Sequence, residues 1–342
     1  MKTPKPALLG LVLFILLLLT TLISVRFGAV NISNQEISDA LVNIFSGKTL
    51  LDLNHRIFLY IRLPRVFMGI LVGATLGVGG VLMQALFRNP IVEPGLVGTS
   101  SGAAFGAALY FVLGASFKIH LGEWTLPLAA CIGGIISTAM VFYLSQSKQS
   151  GKNSVISLLL TGMAINALFL SGVGFLSYIA RDPQARSITF WNLGTLSGSY
   201  WEGLFFVAIV TISGLLLSLR YAKKLNALML GEEEAQLLGV NIKQLKMQVL
   251  LINVIMVAVS TAFVGVIGFV GLITPHLLRM ISGSDNRILI WTGALLGAIV
   301  LTASDITARL LLSPAELPIG IVTSVIGAPI FIALLQKTNY SF

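Results

Sequence analysis

The stretch LNALMLGEEEAQLLG, Leu225–Gly239, is a charged, helix-forming segment between two long apolar segments. Its glutamates at 232–234 fall where the first turn of a helix would lie, and negative charge is stabilising at that end of a helix. Gly239 can end the helix in a left-handed conformation. Lysines and arginines flank the stretch on both sides, which is typical of the cytoplasmic side of a membrane. We therefore predict a cytoplasmic helix at about 225–240, with an ordinary solvated loop helix as the alternative.

The composition places the whole chain in a membrane. Of its 342 residues, 56% are hydrophobic and 10% are charged, whereas a soluble domain carries about 25% charged residues. The apolar runs are continuous and about 20 residues long, the length that a helix needs to cross a bilayer. Strands of a membrane barrel would instead alternate apolar and polar residues. The fold class is therefore an all-α, polytopic membrane protein, and the single Cys131 rules out a disulfide framework.

Ten apolar runs divide the chain into about ten transmembrane helices, which form a single transmembrane domain over residues 1–342. An even number of spans places both termini on the same side, and the excess of lysine and arginine makes that side cytoplasmic. The predicted spans are 7–25, 63–84, 92–114, 124–145, 153–179, 202–220, 244–264, 266–282, 288–308 and 318–336.

Two glycine runs indicate close helix packing. Glycines recur every four residues at 69–77 in the second span and at 98–106 in the third. Small residues let helix backbones approach each other in lipid, where no hydrophobic force drives helices together. We predict that both runs form helix–helix contacts.

The sequence RNPIVEPG, Arg88–Gly95, separates these two spans. Its prolines cannot continue a helix, and a charged side chain such as Glu93 is costly in lipid. Irregular backbone at membrane depth survives only against protein or a water-filled cavity. The segment therefore either caps two spans at the inner surface or lines a pathway. In the fifth span, Asn166 faces the pathway or makes an interhelical hydrogen bond.

Several stretches together resemble the FecCD-type permeases of ABC transporters, which import iron chelates, haem and cobalamin. The resemblance covers nearly the whole chain and keeps the stretches in family order. They are RLPR at 62–65, LFRNPIVEPGLVGTSSGAAFGAAL at 86–109, FWNLGTLSG at 190–198, GEEEAQLLGV at 231–240, GFVGLITPHLLR at 268–279 and DITARLLLSPAELPIGIVTSVIGAPIFIALL at 305–335.

This resemblance implies a type II ABC importer permease fold and a set of partners. A second permease subunit, making a homodimer, would enclose the path. Two cytoplasmic ABC ATPase subunits would hydrolyse ATP, so this chain would not itself be an enzyme. A periplasmic or lipid-anchored substrate-binding protein would dock on the outer face of the inner membrane. No cofactor or metal bound by the chain is expected. The motifs at 87–104 and 187–198 look most similar to those of haem permeases, with ferric-siderophore or cobalamin import as the alternative.

The resemblance also assigns roles to particular residues. The residues expected to contact the ATPase are Gly231, Glu232, Glu233, Glu234, Ala235, Leu237, Leu238 and Gly239. The arginines expected to dock the binding protein are Arg62, Arg65 and Arg309. Since a large chelate needs a wide, mostly uncharged path, the expected path residues are Gln84, Thr99, Ser100, Ser101 and Asn166. The alternative for the arginines is structural: Arg309 pairs with Asp305, four residues away, and the other two anchor a helix at the headgroups.

Two other classes of protein are considered. An ion-coupled transporter or a channel tends to keep ionisable groups at mid-membrane, whereas here charges cluster at the ends of the predicted spans. An intramembrane enzyme would need a nucleophile–base pair or a metal cluster, and one cysteine with three scattered histidines supplies neither.

Overall fold

Helices account for nearly all of the regular structure of this protein. The computed structural model describes residues 6–28, 32–45, 53–117, 122–145 and 155–337, and no strand occurs among them. Both chain ends, on which the predicted orientation partly rests, lie outside these ranges. The helices are α1 (Pro6–Arg26), α2 (Asn34–Phe45), α3 (Leu53–Ile57), α4 (Leu63–Phe87), α5 (Thr99–Phe117), α6 (Thr125–Leu144), α7 (Val155–Ile179), α8 (Asp182–Asn192), α9 (Trp201–Leu230), α10 (Glu232–Leu237), α11 (Ile242–Val264), α12 (Val270–Ser282), α13 (Asn286–Leu310) and α14 (Ile319–Lys337).

Seven helical segments in the described chain are long and apolar enough to cross a membrane. They contain α1, α4, α6, α7, α9, α11 and α13, and a π-helical turn, Phe58–Arg62, joins α3 to α4. Apolar stretches of α5 and α14 are shorter, and α12 has 13 residues. Each of the ten predicted spans therefore corresponds to one helix, which confirms the all-α membrane fold.

Three predicted spans have different bounds in the structure. The span at 92–114 begins as a helix only at Thr99, because Pro90 and Pro94 keep the preceding residues in turns. The span at 266–282 begins only at Val270, and a helix of 13 residues is about 20 Å long, too short to cross the bilayer core alone. The span at 202–220 continues to Leu230, since its charged end remains helical.

The two glycine runs pack helices together as predicted. On α4, a Cβ at Gly73 or Gly77 would collide with the backbone carbonyls of Gly297 or Gly293 on α13. On α5, a Cβ at Gly102 or Gly106 would collide with backbone carbonyls of α6. Close backbone approach of this kind is how small residues join helices in lipid.

Non-helical segments meet one another beside these packed helices. The N–H of Thr195 donates to the carbonyl of Val264 at 2.8 Å, and the N–H of Gly320 donates to the carbonyl of Leu193 at 2.9 Å. The segment between α8 and α9 thus bonds to both the end of α11 and the start of α14. These bonds satisfy backbone groups that lipid could not, and they place irregular backbone next to the cavity described below.

Candidate functional site

A cavity of about 500 Å³ lies between α5, α7, α11 and the irregular segments at 93–96 and 266–268. We call it the Asn166 cavity. It is lined by Leu76, Glu93, Pro94, Gly95, Leu96, Ser100, Ser101, Ala104, Asn166, Leu170, Asn192, Val257, Val266, Ile267 and Gly268. Glycine, serine, asparagine and aliphatic groups dominate this lining, so the wall is mostly uncharged.

Three of the predicted path residues lie on this wall. The hydroxyl of Ser101 donates to Oδ1 of Asn166 at 2.6 Å, and Nδ2 of Asn166 donates to the carbonyl of Leu96 at 3.4 Å. Ser100 lines the same wall. The two alternatives for Asn166 are therefore both realised, because its side chain bonds to α5 and also borders the cavity.

The other two predicted path residues lie away from the cavity. Thr99 is fully buried, and its hydroxyl bonds to that of Thr138 on α6 at 2.9 Å. Gln84 is also buried; it donates to the carbonyl of Leu272 at 3.1 Å and accepts a hydrogen bond from Arg279. Both side chains join helices within this chain and do not line the Asn166 cavity. Their place on a path stays a prediction.

Glu93 lines the cavity, although it was not among the residues predicted to line the path. It is the one charged side chain among the lining residues, and its Oε1 accepts a hydrogen bond from the backbone N–H of Phe269 at 2.9 Å. The signal was the cost of placing this carboxylate in lipid, which already indicated a cap or a pathway for Arg88–Gly95.

The helix predicted at about 225–240 is divided in the structure. Residues 225–230 belong to α9, where Leu225 and Leu228 are buried in the core. The separate helix α10 begins after Gly231, whose φ is +149°, and Gly239 follows it with a φ of +79°, the left-handed conformation expected. Glu232–Glu234 form its first turn, as predicted.

The faces of α10 differ sharply. Ala235 is fully buried beneath the helix, whereas Leu237 and Leu238 are 89% and 64% exposed. Glu232 pairs with Lys246 on α11 at 2.9 Å, which fixes α10 to the next span. The exposed surface of this segment therefore carries Leu237 and Leu238 together with Glu233 and Glu234. Its contact with an ATPase stays a prediction.

The three arginines predicted at the outer end come together, but they face the protein interior. Arg65 donates to Asp305 at 2.9 and 3.0 Å and to Glu316 at 2.8 and 3.0 Å. Arg309 pairs with Asp305 at 3.0 Å, as the structural alternative predicted. Arg62 donates to two carbonyls at the end of α1, at 2.7 and 2.8 Å. We call Arg62, Arg65, Asp305, Arg309 and Glu316 the outer ionic cluster.

These contacts leave none of the three arginines exposed at the surface. Arg62, Arg65 and Arg309 are all buried, and Arg309 also donates to the hydroxyl of Ser24 at 2.6 Å and to the carbonyl of Phe27 at 3.0 Å. Cations near a helix C-terminus satisfy its orphan carbonyls. The arginines thus hold α1 against α4 and α13, and docking of a binding protein by them stays a prediction.

Comparison with known proteins gives the same family over nearly the whole chain. The profile of the FecCD transport family matches residues 16–337. The Hemin transport system permease protein HmuU of Yersinia pestis is 40% identical over 97% of this chain and 96% of its own. The Vitamin B12 import system permease protein BtuC of Salmonella typhi is 38% identical over 81% of this chain and 83% of its own.

A solved structure supports the fold as well as the family. It is described as an inward-facing conformation of a metal-chelate type ABC transporter, and one of its chains superposes with a TM-score of 0.84. The sequences are 34% identical, and the match covers 98% of this chain and 100% of that one.

Proposed function

The chain belongs to the FecCD transport family, and from that premise we propose that it is the permease subunit of an ATP-driven importer whose substrate is haem. The observation that carries the transport function is the Asn166 cavity, a mostly uncharged recess bounded by irregular backbone inside a bundle of membrane helices. Glycine, serine and asparagine on its wall suit a bulky ligand that must pass without binding tightly.

The proposal that the cargo is haem is supported by the HmuU match, at 40% identity over nearly the full length of both chains. The BtuC relative, at 38% identity, keeps cobalamin as the alternative, and ferric siderophores remain a second alternative from the resemblance. The experiment below therefore compares haem with both alternative cargoes.

The mechanism proposed is alternating access in a homodimer. Two permease subunits would enclose one path between their Asn166 cavities, and two cytoplasmic ATPase subunits would drive the change between outward-open and inward-open states. The exposed leucines of α10 suit contact with an ATPase because they lie on the side that faces away from the spans. We place the complex in the inner membrane, with both termini cytoplasmic.

A substrate-binding protein is proposed to deliver the cargo at the outer face. Because the guanidinium groups of the outer ionic cluster already have partners in this chain, the cluster would support the docking face from beneath. Direct capture of acidic residues by Arg62, Arg65 and Arg309 would require at least one of the present pairs to open.

ATP hydrolysis by the cognate ATPase, reconstituted in liposomes with and without this chain, tests the proposal. Hydrolysis should depend on the permease and should rise further when the binding protein is loaded with hemin. Binding protein loaded with cobalamin or with a ferric siderophore provides the arms that distinguish the cargo. An ATPase indifferent to this chain, together with uptake driven by an ion gradient, would instead support the ion-coupled class.

A further inference from the structure

Glu93 joins two irregular segments beside the Asn166 cavity. Its carboxylate lies on the wall of the Asn166 cavity, and its Oε1 accepts the hydrogen bond of the Phe269 N–H at 2.9 Å. The two residues are 176 positions apart in the sequence. The bond therefore joins the segment before α5 to the segment before α12.

Phe269 needs an external partner. It is the N-cap residue of α12, and its own side chain makes no capping hydrogen bond. Its φ of +67° is left-handed, which is unusual for a bulky residue and persists only when the surroundings hold it. The first N–H groups of a helix lack intrahelical partners, and a carboxylate there also lies at the positive end of the helix dipole. Glu93 thus supplies from another segment the cap that Phe269 lacks.

The same bond connects two walls of the cavity. Residues 93–96 and residues 266–268 both line the cavity. The first wall is held separately, because Nδ2 of Asn253 donates to the carbonyl of Pro94 at 3.1 Å. The far part of α12 is tied to α4 through the bond between Arg279 and Gln84. Gln84 also ties this helix to α4, through the carbonyl of Leu272. Glu93 is therefore the side chain that ties the N-cap residue of α12, and with it the wall at 266–268, to the wall at 93–96.

We propose that Glu93 is a positioning residue of the transport cycle. Its carboxylate caps α12 through Phe269 and so keeps the segment at 265–269 closed against the Asn166 cavity. When the cap is lost, the start of α12 detaches and the wall at 266–268 becomes accessible to water. The link to uptake rests on the proposed function, whereas the link to wall accessibility does not.

Site-directed labelling in the assembled transporter tests the proposal. The parent carries Cys131→Ala, since Cys131 is the single native cysteine. Ile267→Cys reports on the capped wall, and Ala104→Cys is the matched position, because both residues are buried and both line the cavity. Each is combined with Glu93→Ala or Glu93→Gln. The rate of reaction with a water-soluble maleimide is measured in proteoliposomes that have been permeabilised, so that the reagent reaches both faces of the membrane.

Glu93→Ala should raise the labelling rate at Ile267→Cys about tenfold, equivalent to about 1.4 kcal/mol of opening free energy. The rate at Ala104→Cys should stay within about twofold. Glu93→Gln keeps an acceptor but loses the charge at the helix N-terminus, so it should give a smaller rise at the first position. Uptake should fall in Glu93→Ala while ATP hydrolysis continues.

An unchanged rate at Ile267→Cys in both variants would overturn the cap. So would an equal rise at both positions, which would indicate general loosening. If Glu93→Ala does not assemble, Glu93→Gln decides alone. A labelling rate that rises at Ile267→Cys but not at Ala104→Cys would support the cap, and an unchanged rate at Ile267→Cys would refute it. A parent that labels as expected but imports nothing would refute the proposed function and leave the labelling comparison intact.

Discussion

Asp305→Asn should strongly destabilise the protein, because Asp305 is the carboxylate shared by two arginines of the outer ionic cluster. It is buried and lies 2.9 Å from Arg65 and 3.0 Å from Arg309. Removing one partner of a buried ion pair costs about 3–5 kcal/mol, since the remaining charge is left uncompensated. Asparagine can still accept one hydrogen bond, so we expect the lower end, about 3 kcal/mol.

Asp285→Asn is the matched control. Asp285 also pairs with an arginine, Arg287, at 2.8 Å, but here the arginine is exposed and the aspartate is only partly buried. Asparagine keeps the oxygen that accepts from Asn226. Exposed pairs contribute about 0–1 kcal/mol, and asparagine is as good a helix N-cap as aspartate. The same chemical change at the two positions therefore separates a buried ionic cluster from a surface pair.

Thermal unfolding in detergent measures both variants. Labelling of Cys131 by a thiol-reactive fluorophore reports the transition, with one scan rate throughout because such unfolding is commonly irreversible. At about 2 °C per kcal/mol for a chain of this size, Asp305→Asn should lower the midpoint by about 6 °C and Asp285→Asn by less than about 2 °C. Equal midpoints for the two variants would refute the structural role of the cluster and return its arginines to the docking interpretation.

Three further predictions concern packing, coupling and the path. Gly77→Leu should prevent assembly of the membrane bundle by collision with α13, whereas Gly174→Ala, with open space around it, should assemble normally by size-exclusion chromatography. Leu238→Glu on α10 should abolish hemin uptake with the permease still inserted, and normal uptake would remove α10 from the coupling surface. In a chain without native cysteine, Ser100→Cys should react with a water-soluble thiol reagent and Thr99→Cys should be protected. Equal reactivity at the two positions would refute the assignment of Ser100 to the cavity wall and of Thr99 to the contact with α6.

The membrane helices were predictable because their signal is local. Continuous apolar runs and glycines at spacings of four determine where spans lie and which faces pack. The boundaries were less predictable, since a helix does not end where the membrane does. The cluster of lysine and arginine after residue 220 indicated the membrane surface, yet α9 continues to Leu230. For the same reason, the irregular segments at 92–98 and 266–269 were included in predicted spans.

The site was predictable only in part because its key contacts are distant in sequence. Ser101 and Asn166 could be proposed from their polarity within apolar runs. The hydrogen bond from Phe269 to Glu93 joins residues 176 positions apart in the sequence, and no local sequence pattern predicts it. Likewise, the pairing of Arg65 with Glu316 and of Arg309 with Ser24 depends on how α1, α4 and α13 pack. Sequence placed the arginines at one end of the bundle, but only packing decides whether they face outward.

ATP-driven uptake of hemin into proteoliposomes tests the central claim most directly. The liposomes would contain this permease with its ATPase, and the external solution would contain the hemin-loaded binding protein. We predict accumulation that requires ATP hydrolysis and all three components, and that is lost with a hydrolysis-deficient ATPase. Accumulation that persists without ATP, or ATP-driven accumulation of cobalamin or a ferric siderophore in place of hemin, would contradict the account.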